Sequence, residues 1–356
     1  MSVFLVIIIA ILIFSFLIFI HELGHFVAAK LSGVQVNEFS MFMGPAIFKK
    51  QKGETLYSIR CIPIGGYCAM EGEDGDSDNP RAFGKAAWWK RLIILVAGSF
   101  MNMVAGILIM VLVFLPSKAV ALPEIESFTD YCTICGENGL QVGDKLVAMD
   151  GERIYLQSNF EQMLYLNPGD VHDLVVDRNG ERVELNDFYM EKHTVMEDGQ
   201  EVQKYGFSFK VVEPDLGLKL KIGWYNCVDS VRMVRLSLQM LLTGKAGFQD
   251  MSGPVGIVDQ MVQVAEVSQT VGTALLNMLY FGGFIAINLA VMNMLPIPAL
   301  DGGRVVALLI TTAVEAITRK KIDPKYEGYI HGIGMVLLLI LMAVILFKDV
   351  FTIFKG

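Results

Sequence analysis

The sequence predicts an α-helical polytopic membrane protein with four transmembrane helices and an inserted α+β domain outside the membrane. Hydrophobic residues make up 53% of the 356-residue chain and charged residues only 19%, against about 45–50% and about 25% in soluble domains. Four long apolar runs are separated by polar segments. The segment Ser117–Lys221 holds 20 acidic and 10 basic residues, so one acidic polar block interrupts an apolar chain.

Composition also excludes several classes of protein. The chain is too apolar to be disordered, and its net charge of −8 does not fit a protein that binds nucleic acid through a basic surface. The five cysteines are an odd number, which argues against a disulfide scaffold. Cys132 and Cys135 are predicted outside the membrane, where a disulfide could form. A single Cys-x-x-Cys pair supports no redox or metal role by itself.

Each apolar run reaches or approaches the length of about 18 residues expected for a membrane-spanning helix. The first run is apolar except for Ser15, and it lacks the preceding basic residue and the cleavage pattern of a signal peptide. The second is ended by Pro116, and the fourth can be extended backward to Tyr329. The predicted spans are Val3–Ile20, Leu92–Leu115, Thr273–Leu295 and Ile333–Phe347.

Basic residues predict the orientation of these spans. Two loops are rich in lysine and arginine, which places both loops in the cytoplasm and both termini and the acidic block outside. The basic residues are Lys30, Lys49, Lys50, Lys52, Arg60, Arg81, Lys85, Lys90 and Arg91 in the first loop, and Arg304, Arg319, Lys320, Lys321 and Lys325 in the second.

The outer block, residues 117–221, has the pattern of a small α+β domain. In Gly139–Gly151 turn residues alternate with short β-type runs, and Asp150-Gly151 is a hairpin signal. Val171–Val176 and Tyr205–Val212 are typical of strands, and Asn159–Leu166 of a short helix. Residues 222–272 form a connector, in which Val231–Phe248 carries the one-sided apolar pattern of an amphipathic helix.

A candidate metal site follows the first span directly. In His21-Glu22-Leu23-Gly24-His25 a continuing helix puts both histidines on one face, one turn apart, where both imidazoles can reach one Zn²⁺. Glu22 beside them can take a proton from water. The alternative is a pair of helix-end histidines with a chance glutamate between them. Because ionisable residues at membrane depth are costly, the functional interpretation is favoured.

A catalytic zinc usually has three protein ligands, so a third is expected. His172 and His193 belong to the outer block, and His331 opens the fourth span, so none of them is well placed. Asp301 is the better candidate. His21 lies about 27 Å along the first helix, near the cytoplasmic end of a hydrocarbon layer of about 30 Å, and Asp301 lies just past the inward-running third span. The alternative is an ordinary Asp-Gly turn.

Further polar residues lie at the same predicted depth. Pro296 and Pro298 break the third helix before Asp301 and free backbone groups that need polar surroundings. Asn293 can hydrogen-bond a substrate carbonyl or an oxyanion, or it can cap the broken helix. Gly98 and Asn102 share one face of the second span, and Asn102, at roughly the level of the metal, is a candidate substrate-binding or oxyanion residue. The alternative for Gly98 is that a small residue lets helices approach closely.

Together these motifs resemble the site-2 protease family of intramembrane zinc metalloproteases, and within it the bacterial regulator of sigma-E protease type. The resemblance covers nearly the whole chain, and its motifs occur in the same order. They are HELGH at His21–His25, IPIGGY at Ile62–Tyr67, GxxxN at Gly98–Asn102, a PDZ-like insert with GLxxGDxIxxIDG matched at Gly139–Gly151, SGPVGI at Ser252–Ile257, and NxxPxPxLDG at Asn293–Gly302.

The resemblance implies the chemistry and the fold. It implies Zn²⁺ bound by His21, His25 and Asp301, with Glu22 activating water, in an endopeptidase that cuts transmembrane segments near the cytoplasmic face of the bacterial inner membrane. It also implies a membrane re-entrant β-hairpin at Glu54–Met70, whose strand edge pairs with an unwound substrate. Gly65 and Gly66 in that hairpin would contact substrate, although a tight turn also explains them.

Substrates implied by the resemblance are single-span membrane proteins, such as anti-sigma factors and remnant signal peptides, already trimmed by another protease. The PDZ-like domain would then act as a size filter; equally, it could bind peptides or only fill space. The carboxylate-binding loop of typical PDZ domains is not obvious near Tyr131–Gly136. Two other functions compete: a membrane zinc protease that cuts soluble substrates with a glutamate as third ligand, and a non-catalytic membrane adaptor.

Overall fold

The computed structural model describes residues 2–73, 75, 77–136, 139–197, 200–319 and 325–355. The chain forms two compact units, Met1–Val113 with Ser230–Gly356, and Phe114–Asp229. The helices are α1 (Val3–Ser32), α2 (Trp88–Phe114), α3 (Gln157–Leu166), α4 (Leu216–Leu242), α5 (Pro254–Val267), α6 (Val271–Asn293), α7 (Asp301–Thr318) and α8 (Lys325–Lys355). The strands are β1 (Val36–Lys52), β2 (Thr55–Met70), β3 (Val120–Phe128), β4 (Lys145–Met149), β5 (Glu152–Arg153), β6 (Val171–Arg178), β7 (Glu181–Tyr189), β8 (His193–Glu197), β9 (Gln200–Lys204) and β10 (Phe207–Val212).

Four of the described helices are long and apolar enough to cross a membrane: α1, α2, α6 and the Gly328–Thr352 part of α8. They confirm the predicted polytopic membrane protein. Helix α1 extends well beyond the first apolar run, to Ser32, because Gly33 is the first residue whose left-handed backbone (φ 82°) ends the helix. Helix α6 ends at Asn293, before the two prolines.

Helices α1, α2, α5 and α6 pack through small and apolar residues. Val6 and Ala10 of α1 are buried against Met261 of α5 and Met278 of α6. On α2, a Cβ added at Gly106 would lie 2.6 Å from a side-chain carbon of Ile287 on α6, so a glycine is what permits this close approach. The two helices that carry the His and Gly motifs are therefore held against α6, whose end leads to Asp301.

Strands β1 and β2 form an antiparallel hairpin that folds back on itself. Ala46–Lys52 pairs with Thr55–Arg60, Glu38–Met41 pairs with Leu56–Ile59, and Val36–Met41 pairs on its other side with Gly66–Met70. The hairpin therefore starts at Val36, well before the predicted Glu54. Strand β1 was not predicted because it contains polar residues. One of them, Glu38, has its partners within the hairpin, where its carboxylate accepts hydrogen bonds from Ser58 (2.6 Å) and Arg60 (2.7 Å).

The amphipathic helix of the connector begins earlier than predicted. Helix α4 runs from Leu216 to Leu242, whereas the apolar pattern indicated Val231–Phe248. Buried polar residues interrupt the hydrophobic periodicity of its first half, which is why the pattern failed there; they are Asn226, Asp229 and Ser230. Residues Phe248–Asp250 form a separate short 3₁₀ turn.

The unit Phe114–Asp229 is built on one β-sheet. Its strand order is β10-β3-β4-β6-β7, with β5 paired to β4, and β8 and β9 form a separate hairpin. The predicted Asp150-Gly151 turn joins β4 to β5, and both residues have positive φ (50° and 79°), as a type I′ turn requires. Phe160 and Met163 of α3 are buried, and Phe160 contacts the rings of Phe207 and Phe209 on β10. An inserted β-containing domain is thus confirmed.

Candidate metal centre

The two histidines of the HELGH motif lie inside α1, one helical turn apart. Their Nε2 atoms are 3.2 Å from each other, and His25 is buried while His21 is half-buried. Because α1 continues for seven residues past His25, the motif is held by a complete helix on both sides. Two imidazole nitrogens therefore point to one common position.

Asp301 joins the histidines at this position from a different part of the chain. Its Oδ2 lies 3.1 Å from His21 Nε2 and 3.4 Å from His25 Nε2. The three ligand atoms all lie within 4.8 Å of one another, and among the described residues this is the one group of three or more His, Cys, Asp or Glu side chains so arranged. Two imidazoles and one carboxylate are a donor set that suits Zn²⁺ and leaves a fourth position open.

A tight turn delivers Asp301 to the site. After α6 ends, residues 294–300 reverse the chain, and Asp301 is the first residue of α7. A Cβ at Gly302 would lie 2.3 Å from the Met294 carbonyl carbon, and one at Gly303 would lie 2.3 Å from the Ile297 oxygen. The two glycines after Asp301 are therefore required by backbone contacts in the turn, and an ordinary Asp-Gly turn does not account for both.

The histidines are oriented by groups on α2. His25 Nδ1 lies 2.8 Å from the backbone oxygen of Ile94, so Nδ1 carries the proton and Nε2 is free to bind a metal. A Cβ at Gly98 would lie 2.3 Å from His25 Nε2 and 2.8 Å from His21 Cε1. Gly98 thus leaves the space that the imidazoles occupy.

Asn102 lies behind His21. It is 1% exposed, and its side-chain nitrogen is 3.3 Å from His21 Nδ1, while its buried Oδ1 has no hydrogen-bond partner. In the opposite amide orientation Oδ1 accepts the Nδ1 proton of His21, which leaves Nε2 of His21 for the metal. Asn102 therefore contacts the side chain of a candidate metal ligand, and its role in binding substrate or an oxyanion stays a prediction.

Glu22 lies between the histidines and the β-hairpin. It is half-buried and within hydrogen-bonding reach of the Cys68 backbone. A Cβ at Gly66 would lie 3.3 Å from Glu22 Cγ and 3.1 Å from the Ser40 oxygen. Gly66 therefore lets the strand segment Gly66–Met70 run close beside Glu22.

The remaining predicted site residues are Asn293 and Gly65, and neither has a described contact with the three clustered side chains. Asn293 is the half-buried last residue of α6. Gly65 has a φ of 75°, and a Cβ there would lie 2.7 Å from the Met43 side chain, so its left-handed conformation favours glycine. Gly65 thus serves the bend of the hairpin, whatever else it contacts.

Two contacts near the centre were missed by the sequence analysis. Arg304, one turn after Asp301 on α7, forms an ion pair with Glu73, which also accepts the Met70 backbone N–H (3.3 Å). His331, dismissed as a ligand, accepts the backbone N–H of Ala299 at Nδ1 (3.1 Å). Arg304 lies one helical turn after Asp301, so helical spacing could have identified it as a residue near the site. No local sequence pattern identifies Glu73 as its partner or Ala299 as the partner of His331.

The fold and the site define a class of protein, the membrane-bound zinc metalloproteases with a His-Glu-x-x-His helix and an aspartate from a second helix. Comparison with known proteins identifies the family. Residues 9–341 match peptidase family M50. The chain belongs to this family and is a zinc metalloprotease.

Several bacterial relatives are similar along their whole length. A protein of Clostridium acetobutylicum named as a zinc metalloprotease is 38% identical over 347 residues, covering 97% of each chain. One of Clostridium perfringens with the same name is 34% identical over 346 residues, covering 97% of this chain and 98% of the relative. The regulator of sigma-W protease RasP of Bacillus subtilis is 27% identical over 430 residues, covering 97% and 98%. That alignment exceeds the 356 residues of this chain, so RasP contains residues that this chain lacks.

Proposed function

We propose that the protein is a zinc-dependent intramembrane endopeptidase that cleaves the transmembrane segments of single-span membrane proteins. The observation that carries the proposal is the convergence of His21, His25 and Asp301 within 4.8 Å, with Glu22 on the same helix as the histidines. Helices long and apolar enough to span a membrane supply these residues or lead directly to them.

In this proposal His21, His25 and Asp301 hold the zinc, and Glu22 performs the proton transfers. Zinc, when bound, supplies Lewis-acid polarisation of the scissile carbonyl and makes water more acidic. Glu22 accepts the proton of the attacking water and delivers it to the leaving amine. Asn293, at the end of α6, is proposed to hydrogen-bond the substrate carbonyl as negative charge develops on its oxygen.

The β-hairpin is the proposed substrate platform. Among the described residues, Gly66–Met70 pairs with no strand other than Val36–Met41, so a substrate strand can be added at its other edge. A transmembrane helix must be unwound before its peptide bond can be attacked, and an extended segment fits such an edge. Several exposed apolar side chains of the hairpin support its insertion into the membrane; they are Met43, Ile47, Phe48, Ile59 and Ile62.

The inserted β domain is proposed to be PDZ-like and to lie outside the cell membrane, where it excludes substrates that have not been trimmed. Its acidic composition and the basic loops of the other unit support this orientation, with the metal centre near the cytoplasmic face of the bacterial inner membrane. One relative is named for regulation of sigma-W, which supports anti-sigma factors as substrates, with remnant signal peptides as a second group.

The test is cleavage of a synthetic single-span substrate by the purified protein in detergent or proteoliposomes. We expect one zinc per chain, loss of cleavage on chelation and recovery when zinc is restored. Glu22→Gln should retain zinc and lose at least about 100-fold in kcat, since proton transfer contributes about 10²–10⁴-fold. The matched control is Glu126→Gln at an exposed position of the inserted domain, which should cleave normally. Wild-type cleavage by the Glu22→Gln variant would overturn the proposal.

A further inference from the structure

The turn before Asp301 contains one residue, Ala299, with a left-handed backbone conformation whose N–H is bound by a residue outside the turn. Ala299 has a φ of 81°, in the left-handed region that disfavours residues with a Cβ. Local hydrogen bonds join Leu300 to Ile297 and Gly303 to Leu300 (both 3.1 Å). The N–H of Ala299, two residues before Asp301, is instead bound from outside the turn.

The outside partner is His331 on α8. Its Nδ1 accepts the Ala299 N–H at 3.1 Å. One turn further along α8, a Cβ at Gly334 would lie 2.4 Å from Cβ of Pro298. Helix α8 therefore packs directly against Pro298–Ala299. His331 supplies the hydrogen-bond acceptor, and Gly334 has no side chain that would prevent the close approach.

Helix α8 is otherwise sparsely attached. Only 6% of its most apolar 18 residues are buried, against 22% in α1 and 39% in both α2 and α6. Near its other end, Asp349 accepts the N–H groups of Gly253 and Gly256, both at 2.9 Å. The contact between His331 and Ala299 is therefore one of the described points at which α8 meets the rest of its unit, and Asp349 supplies another.

The contact has consequences for the metal centre. Asp301 Oδ2 must stay close to both His21 and His25 to complete the ligand set, and the turn backbone sets its place. A displacement of about 1 Å at a catalytic group can cost about 10²-fold in rate. If the Ala299 N–H loses its acceptor, the left-handed residue can relax and carry Asp301 away from the histidines.

We infer that His331 is a positioning residue of the zinc centre, which acts by accepting the Ala299 N–H and so fixing the turn that presents Asp301. The inference rests on the proposed role of Asp301 as a zinc ligand. It gives α8 a function besides spanning the membrane, because the placement of the third ligand depends on the docking of this helix.

Three substitutions of His331 separate the effect of the hydrogen-bond acceptor and its position from the effect of side-chain size. Asparagine places Oδ1 at the branch position of the histidine Nδ1, so His331→Asn keeps the acceptor. His331→Gln moves the acceptor one bond further, and His331→Phe keeps a planar ring without an acceptor. Ile330→Phe, at an exposed neighbouring position, is the control for added aromatic bulk on α8.

The measurements are zinc release to a competing chelator, kcat and KM on the synthetic substrate, and the melting temperature of the full-length protein. We expect His331→Phe and His331→Gln to weaken zinc binding and lower kcat by about 10-fold or more, as losses around metal ligands do, with KM nearly unchanged. His331→Asn and Ile330→Phe should stay within about threefold of wild type. If the His331→Phe variant does not fold, the comparison of His331→Gln with His331→Asn still tests the effect of the acceptor position.

Equal zinc affinity in the Asn, Gln and Phe variants, whether all normal or all weakened, would overturn the inference, because acceptor position would then have no effect. An Asp301→Asn variant assayed in parallel separates the role of Asp301 as a ligand from the role of His331 in positioning it. If it binds zinc as tightly as wild type, the proposed ligand set fails. If it loses zinc while His331→Phe and His331→Gln do not, the role of His331 alone fails.

Discussion

Gly98 on α2 shows how the metal centre depends on a missing side chain. A methyl group there would occupy space 2.3 Å from His25 Nε2, the atom proposed to bind zinc. We expect Gly98→Ala to abolish stoichiometric zinc binding and cleavage, because the imidazole must rotate away or α2 must move. Metal analysis of the purified variant measures this directly.

Gly106→Ala is the matched control on the same helix. Its Cβ would meet Ile287 at 2.6 Å, so it overpacks the α2–α6 contact and should cost about 1–3 kcal/mol of stability. We expect a lower melting temperature with normal zinc content. If the Gly98→Ala variant also retained full zinc and only melted earlier, the space argument would be wrong.

Residues that belong to a local pattern were predictable, and residues defined by distant contacts were not. His21 and His25 follow from helical spacing, and Asp301 from its expected depth beside the prolines. The bond from Ala299 to His331 spans 32 residues and the ion pair from Glu73 to Arg304 spans 231. Such contacts depend on tertiary packing, which a single sequence does not display.

At the scale of elements, one ion pair joins the proposed substrate strand to α7, the helix that carries the proposed third ligand Asp301. Glu73 accepts the N–H of Met70 at the end of β2 and also binds Arg304, one turn after Asp301 on α7. This carboxylate thereby links the edge Gly66–Met70 to the metal centre. The spacing between bound peptide and zinc should depend on it.

A charge exchange tests this link. We expect Arg304→Glu and Glu73→Arg each to lower kcat/KM by about 10-fold or more, and the double variant to recover part of the loss. The coupling should be about 1–3 kcal/mol, as for contacting residues, measured as a double-mutant cycle on the synthetic substrate. Losses that simply add in the double variant would show that the pair does not position the strand.

The control for this exchange is a second ion pair of the hairpin. Arg81 and Lys30 both bind Glu54 at 2.6 Å, and these hydrogen bonds lower the pKa of Glu54 to about 2. Exchanging Glu54 and Arg81 disturbs a hairpin ion pair that involves neither α7 nor the Gly66–Met70 edge. Cleavage by that double variant should therefore remain near wild type.

The bounds of an element were predictable from the sequence only where its hydrophobic pattern is uninterrupted. The spans were found because long apolar runs need no partner to be recognised. Strand β1 was missed because Glu38 and Ser40 put polar residues on the same face as buried Val36, although Ser40 is buried and its hydroxyl lies 2.9 Å from that of Ser58. The polar side chains satisfy one another inside the hairpin, and that compensation is visible only in the folded chain.

At the scale of the whole molecule, charge alone predicts orientation. The segment Ser117–Lys221 carries 20 acidic against 10 basic residues, while lysine and arginine accumulate in the loops between spans one and two and between spans three and four. The positive-inside rule then predicts that the loop containing the hairpin enters from the cytoplasmic side and that the inserted domain lies outside. Two natural cysteines, Cys61 in the hairpin and Cys135 in the inserted domain, are exposed and report on the two sides.

We expect a membrane-impermeant maleimide to label a variant that retains only Cys135 in intact cells, and to leave a variant that retains only Cys61 unlabelled. Both should be labelled once detergent opens the membrane, which controls for thiol accessibility. Replacing Cys132 in the first variant also removes its nearest candidate disulfide partner, so protection there cannot come from that bond. Labelling of Cys61 with protection of Cys135 in intact cells would reverse the orientation. The inserted domain would then lie in the cytoplasm, where it could not exclude substrates on the outer side, and the size-filter proposal would fail with it.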